Sequence, residues 1–284
     1  MVMANEEQQQ AWAAQGVDWV DHAAIFEAVL APFADAVVQA ADIGPGARVL
    51  DIGCGSGTLL HRTAALGAIP FGIDISEPMV QAARRRVPGA TVALGDAQTL
   101  ALRPATGEAF DRIISRFGVM FFDDPVAAFA NIRDAAAPGA RLTFVCWREG
   151  DNPMFTLGVD ILADRLETPP AAPDPDAPGP LAFGNAERVR AILADAGWRD
   201  VDVAAFDGVC DFGIDGSDGV EERLSLLLAN TTGRQARAEL PERLGADGWA
   251  AVIEELRDEL RRRRVDGVVK FPGHTWVVTA VNPG

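Results

Sequence analysis

The stretch Val49-Leu50-Asp51-Ile52-Gly53-Cys54-Gly55-Ser56-Gly57-Thr58 decides the fold of this 284-residue chain. A short apolar run passes directly into three alternating glycines and then into an apolar helical pattern. Glycine tolerates positive φ and lets a ligand approach the backbone with no Cβ in the way, and the new helix offers unpaired N–H groups at its start. An ordinary tight turn between strand and helix seldom needs glycine at three alternate positions. The stretch therefore reads as a strand, loop and helix that cradle a nucleoside cofactor.

Outward from this unit the pattern repeats. Phe71-Gly72-Ile73-Asp74-Ile75 is a second short strand ending in a carboxylate, and Ser76 with Pro78 marks the start of the next helix. Val92-Ala93-Leu94-Gly95-Asp96-Ala97 and Phe110-Asp111-Arg112-Ile113-Ile114-Ser115-Arg116-Phe117 supply a third and a fourth. Strands are expected at 47–52, 69–75, 91–95, 110–116 and 140–147, with helices starting at 57, 77 and 124. Such alternation implies an α/β fold, a mostly parallel sheet with helices on both faces.

The cofactor class turns on the third glycine. The dinucleotide fingerprint is G-x-G-x-x-G/A, and here the third glycine comes one position early while Thr58 stands where a small residue is wanted. The chain instead resembles the class I S-adenosylmethionine-dependent methyltransferases, in which an acidic residue ends the strand before G-x-G-x-G, as Asp51 does before Gly53, Gly55 and Gly57. The resemblance is specific over about residues 47–147. It implies a Rossmann-like seven-stranded sheet whose last strand runs antiparallel between strands five and six, and S-adenosyl-L-methionine as cofactor. It also implies roles: Asp74 accepts from the ribose hydroxyls, Ile75 and Met79 bracket the adenine, Asp96 meets its amino group, the N–H of Ala97 meets a ring nitrogen, and Ser115 and Arg116 lie beside the methionine part. The runs Ser115–Pro125 and Pro138–Leu142 are similar to the small-molecule branch that includes ubiquinone and menaquinone methyltransferases.

Composition narrows the partners. A net charge of −16 with no offsetting basic patch repels phosphate backbones, so nucleic acid is a poor candidate and a small-molecule acceptor is favoured. The three cysteines and three histidines lie far apart in sequence, without metal-ligand spacing, so free thiols and no metal are expected. Met1 to Gln10 lacks a basic flank and an apolar run, and no uncharged apolar stretch of membrane-spanning length occurs. These features predict no membrane insertion and a cytoplasmic location; the oligomeric state is left open, a homodimer being one arrangement.

The expected organisation is an N-terminal helical lid at 1–42, a cofactor-binding core at 43–150, a cap insertion at 151–184, core again at 185–214, a helical cap insertion at 215–272 and a final core strand at 273–284. Pro32 is expected to break the lid into two helices. A helix is expected at 153–167, and the proline-rich run Thr168–Pro180 reads as an extended spacer. Acids three or four residues upstream of the Arg261–Arg264 run mark it as a solvated, ion-paired helix face rather than a binding patch. Both insertions leave the sheet at the carboxyl ends of strands, where ligands of open α/β sheets bind, so acceptor specificity is expected to lie in them.

Methyl transfer from a sulfonium needs a base only when the acceptor must lose a proton. The chain has no tyrosine and a single lysine, Lys270, which leaves histidines or acids for that task. His22, in the lid near Trp19, and His274, just before the last strand, are the candidates for a general base. Trp19, Phe117, Phe121 and Trp147 fall at strand ends or in the lid and are candidates for stacking on a planar acceptor. Transfer to oxygen or carbon is the expected chemistry. Two other readings stay open here, a nicotinamide-dependent oxidoreductase and a non-catalytic cofactor-binding module.

Overall fold

A computed structural model describes residues 12, 16, 19–104, 107–171 and 174–284. Its centre is β1 (Arg48–Ile52), whose Val49, Leu50 and Ile52 are almost wholly buried because the strand is covered on both faces. Around it lie β2 (Ile69–Asp74), β3 (Thr91–Leu94), β4 (Phe110–Arg116), β5 (Ala136–Trp147), β6 (Arg199–Asp211) and, at the end of the chain, β8 (Val268–Val281), with a two-residue β7 (Arg264–Val265) paired to β8. The strand order is β3-β2-β1-β4-β5-β8-β6, with β1 to β5 parallel and β8 antiparallel to both β5 and β6. The expected Rossmann-like sheet of seven principal strands is what the chain forms. The order reverses between β1 and β4, so the crevice for a ligand opens above their carboxyl ends.

The helices follow from local signals. α1 (Ala23–Val29) and α2 (Ala31–Ala41) meet at a 60° bend, with Pro32 in the first turn of α2 where a missing N–H costs nothing. Phe33, Ala34, Val37 and Ala41 bury one face of α2 in the core. α3 (Thr58–Ala65) and α4 (Glu77–Arg86) follow β1 and β2, and α5 (Pro125–Ala135) starts where Asp124 accepts a hydrogen bond from the N–H of Ala127. α8 (Ala186–Asp195) is capped by Asn185 and precedes Trp198, whose Nε1 donates to the carbonyl of Phe129 at 3.0 Å. No single described helix is long and apolar enough to cross a membrane.

Three boundaries differ from expectation. The helix expected at 153–167 is two short pieces, α6 (Pro153–Thr156) and α7 (Val159–Ala163), because Gly158 between them adopts φ +81° and a Cβ there would strike Leu227 at 2.8 Å. The helical 215–266 region divides at Asn230 into α9 (Val220–Ala229) and α10 (Thr231–Arg262), Asn230 capping the second through Gly233 N–H. The last strand begins at Val268 rather than 273. Pro272 argues against a strand, yet β5 stops at the level of Thr275, so β8 around Pro272 pairs only with β6, through Val209, and tolerates a residue without N–H.

The ion-paired helix face is present: Arg257 meets Glu221 and Glu254, Arg261 meets Asp258, and Arg262 and Arg263 both meet Glu259. All three cysteines are buried free thiols.

Candidate active site

A cavity of about 750 Å³ sits above the sheet at the β1/β4 switch. Its floor is the glycine loop. Gly53 has φ +65°, and a Cβ added there would stand 2.8 Å from the Cα of Gly118, so the β1 and β4 turns cross backbone to backbone. Gly55 has φ +53° with nothing within 4 Å of the added atom, so its missing side chain is open cavity. Gly57, expected to contact the cofactor, does not line the cavity. At φ +85° it is the N-cap of α3, and its Cα faces Ala83 of α4, where a Cβ would come within 3.2 Å of backbone. Its smallness serves helix packing.

The carboxylates are arranged around this loop. Asp74 accepts from the N–H of Gly55 at 2.8 Å through one oxygen and from the N–H of Ser76 at 2.9 Å through the other, which fixes the loop and still leaves lone pairs facing the cavity. Burial raises its pKa and these N–H bonds pull it back. Asp96, beside Ala97, accepts from Gln98 N–H and the Thr99 hydroxyl. Ile75 and the buried Met79 complete the wall between the two acids. Asp74→Ala removes a carboxylate that lines the cavity and the tie to Gly55, so we expect nucleoside affinity to fall by about 1–3 kcal/mol, measured by calorimetric titration with S-adenosylhomocysteine.

Asp51 and Arg116 form the charged end. Asp51 is 1% exposed, and neither carboxylate oxygen has a hydrogen-bond partner among the described residues. Desolvation holds its pKa well above the usual carboxylate range, with Arg116 opposing and Asp74 adding to the rise. The half-buried Arg116 guanidinium is pushed down to about 10 by desolvation, against the pull of Asp51. Asp51 and Arg116 line one cavity, and the acid still lacks donors. Ser115, expected beside the cofactor, is wholly buried outside it. Its Oγ donates to Ile52 O at 2.7 Å and accepts from Gly118 N–H at 3.2 Å, clamping the two turns together.

Aromatic rings complete the lining. Trp19 stacks on Phe26 at 3.8 Å, Phe121 packs edge-on against Trp12 at 5.1 Å, and Phe117 stacks on Trp147 at 4.3 Å. Trp19, Phe117, Phe121 and Trp147 all line the cavity. Phe117 holds φ +62°, an uncommon conformation for a bulky residue that costs on the order of 1–3 kcal/mol and is fixed by its N–H bond to Val145.

Both insertions reach the site. The proline-rich run, expected to be a spacer, is a wall: Pro170 and Pro178–Pro180 line the cavity, and Gly179 N–H bonds the carbonyl of Met120 at 3.0 Å. From α9 and the start of α10 come Arg223, Asn230, Thr231 and Thr232, none of which a sequence pattern marks.

The two candidate bases lie elsewhere. His274 is bonded through Nδ1 to Asp207 Oδ1 at 2.9 Å and lies 3.3 Å from Arg148, on the outer face of the β6–β8 ribbon rather than the cavity. The reason is strand alternation, with buried Thr275 next to it taking the inward face. His22 is the N-cap of α1 and also lies outside the lining. His22→Ala and His274→Ala are expected to leave S-adenosylhomocysteine affinity and methyl transfer within twofold of wild type, by titration and turnover assay.

Comparison with known proteins agrees with this geometry. Residues 50–144 match a family described as a methyltransferase domain. A demethylmenaquinone methyltransferase of Renibacterium salmoninarum is 28% identical over 180 residues, covering 61% of this chain and 75% of that protein. An uncharacterized protein of Mycobacterium tuberculosis (strain ATCC 25618 / H37Rv) is 36% identical over 129 residues, 45% of this chain and 47% of that protein, so the match spans about half of this relative's length. Among solved structures, Bacillus subtilis YcgJ aligns with TM-score 0.57 and 14% identity over 89% of this chain and 99% of that one. The Haemonchus contortus phosphoethanolamine N-methyltransferase 2 in complex with S-adenosyl-L-methionine aligns with TM-score 0.52 and 18% identity over 92% of this chain and 56% of that one. Sheet order, glycine loop and family match together mark residues 50–144 as an S-adenosylmethionine-dependent methyltransferase domain, and the chain resembles the demethylmenaquinone methyltransferases.

Proposed function

We propose that the protein transfers the methyl group of S-adenosylmethionine to a small, planar or apolar organic acceptor, at oxygen or carbon. The observation that carries this reading is one cavity lined both by the glycine loop with three carboxylates and by aromatic rings and both insertions. When bound, S-adenosylmethionine supplies a methyl group on a sulfonium, already joined to a good leaving group. Asp74 and Asp96 would hold its nucleoside, and Ile75 and Met79 its base. Asp51 and Arg116 match the ammonium and carboxylate of its amino-acid end.

The rest of the chain's task is positioning and exclusion of water, and such orientation can contribute about 7–11 kcal/mol to a displacement. Phe117, Phe121, Trp19 and Trp147 offer faces to a planar acceptor and shield a cation through their ring quadrupoles. Among the described residues, no histidine or lysine lines the cavity, and the Cys54 thiol there is held neutral by burial. A hydroxyl acceptor would therefore react as its anion or release its proton to water. Likeness to demethylmenaquinone methyltransferases supports a small organic acceptor, and the net charge of −16 disfavours nucleic acid.

The test is incubation with methyl-labelled S-adenosylmethionine and a panel of phenols, quinols and polyketides, read by mass spectrometry. Protein-dependent label in a ring acceptor is expected. Tight S-adenosylmethionine binding with no label in any acceptor would favour a non-catalytic module.

A further inference from the structure

The wall built by the insertions carries a buried cation with no anion to answer it. Arg223, on α9, is 2% exposed and lines the cavity. Its Nη2 donates to the carbonyls of Pro153, Met154 and Leu157 at 3.3, 3.1 and 3.1 Å, pinning the second insertion to the first. The rings of Phe212 and Phe271 lie 5.8 and 5.7 Å from its Cζ. Its Nε is buried without a partner, and no acidic side chain pairs with it among the described residues. The ionisable group that acts on it is the Cys210 thiol, which burial pushes up to about 12 and so keeps neutral. Arg116 differs, because Asp51 and Glu27 both act on it.

A guanidinium carries five N–H donors, and the three carbonyls engage a single nitrogen. Carbonyl dipoles and ring faces soften the loss of hydration, yet a buried charge without a counter-charge is costly to keep. A strut between two insertions needs no charge, whereas a ligand carboxylate both neutralises Arg223 and uses its idle donors. Asn230, Thr231 and Thr232 add polar groups to the same wall, while Trp147, Phe155 and Leu226 supply the apolar surface around it.

We propose that Arg223 determines acceptor specificity by receiving a carboxylate, so that the acceptor is a planar or apolar organic acid. This inference rests on the methyl-transfer reading and names the substrate class for the same cavity.

The test titrates 2-naphthoate, cinnamate and 4-hydroxybenzoate, each beside its neutral carboxamide, into protein saturated with S-adenosylhomocysteine. At least one acid is expected to bind ~10-fold or more tightly than its carboxamide. Arg223→Met should abolish that preference with S-adenosylhomocysteine affinity intact, and Arg223→Lys should restore part of it. Arg223→Gln, which keeps a donor for the cap carbonyls without the charge, is measured in parallel so that the result does not hang on one variant folding. Absence of the preference in wild type, including no binding by any acid of the panel, overturns the inference, as does its survival in the uncharged variants. If S-adenosylhomocysteine itself does not bind wild type, the methyl-transfer reading fails; if it binds and acids show no preference, this inference alone fails.

Discussion

Gly53→Ala is expected to lose S-adenosylhomocysteine binding and to destabilise the fold by about 2–5 kcal/mol. At φ +65° an L-residue costs about 1–2 kcal/mol over glycine, and its Cβ would stand 2.8 Å from the Cα of Gly118. That neighbour is backbone and cannot swing aside. Overpacking of this kind costs typically about 1–3 kcal/mol more. The crossing is tight from both sides, since a Cβ on Gly118 would meet Ile52 O at 2.6 Å. Gly55→Ala separates the two effects. Its φ of +53° carries the same conformational cost, but nothing lies within 4 Å, so stability should fall by only about 1–2 kcal/mol while the new methyl occupies the cofactor's space. Urea unfolding and calorimetry on both variants check this. A Gly53→Ala protein with wild-type stability and affinity would mean that the crossing of the two turns is not as described.

The second large effect concerns pH. Asp51 in the ligand-free site is desolvated and lacks donors, so its carboxyl keeps a proton to a higher pH than in the unfolded chain. Because the folded pKa is the higher one, this group's contribution to stability is fully present below the unfolded pKa and is lost as pH rises through the folded pKa. Cofactor binding runs the other way. An ammonium needs the carboxylate, so S-adenosylhomocysteine affinity should be low below the raised pKa and climb as pH rises through it, with proton release on binding. Asp51→Asn should flatten that climb and weaken binding ~10- to 100-fold at its plateau, the size of a charge-assisted hydrogen bond, without lowering thermal stability at neutral pH. Affinity that is flat with pH in wild type, or unchanged in Asp51→Asn, would remove Asp51 from the cofactor's amino-acid end.

The cavity lining around the glycine loop was legible because it is local in sequence. Asp51, Gly53, Gly55, Asp74 and Asp96 each stand at the end of an apolar run, and strand ends of a parallel sheet are where a ligand binds. Gly57 and Ser115 were misassigned because sequence adjacency to a loop does not say which way a residue faces. Gly57 meets Ala83 and Ser115 meets Ile52 and Gly118, partners fixed by the tertiary crossing of turns. On the other part of the cavity the rings of Trp19, Phe117, Phe121 and Trp147 were legible as lining, whereas the polar groups of the insertions were not. Arg223 follows Glu221 and Glu222 in a helical pattern and reads as a solvated residue, and it is tertiary contact with the 153–157 carbonyls and the rings of Phe212 and Phe271 that buries it. The Thr168–Pro180 run has the composition of a linker, yet the contact of Gly179 with Met120 folds it over the cavity. His274 looked suitable because of its position before the last strand, but its pairing with Asp207 turns it outward.

The central claim, that the glycine loop serves a sulfonium nucleoside and not a dinucleotide, is tested most directly by parallel calorimetric titration of the protein with S-adenosylmethionine, S-adenosylhomocysteine and NADH. Micromolar binding of the first two with none of NADH is the predicted result. Binding of NADH alone would contradict the account, and with it the roles given to Asp51, Asp74 and Asp96.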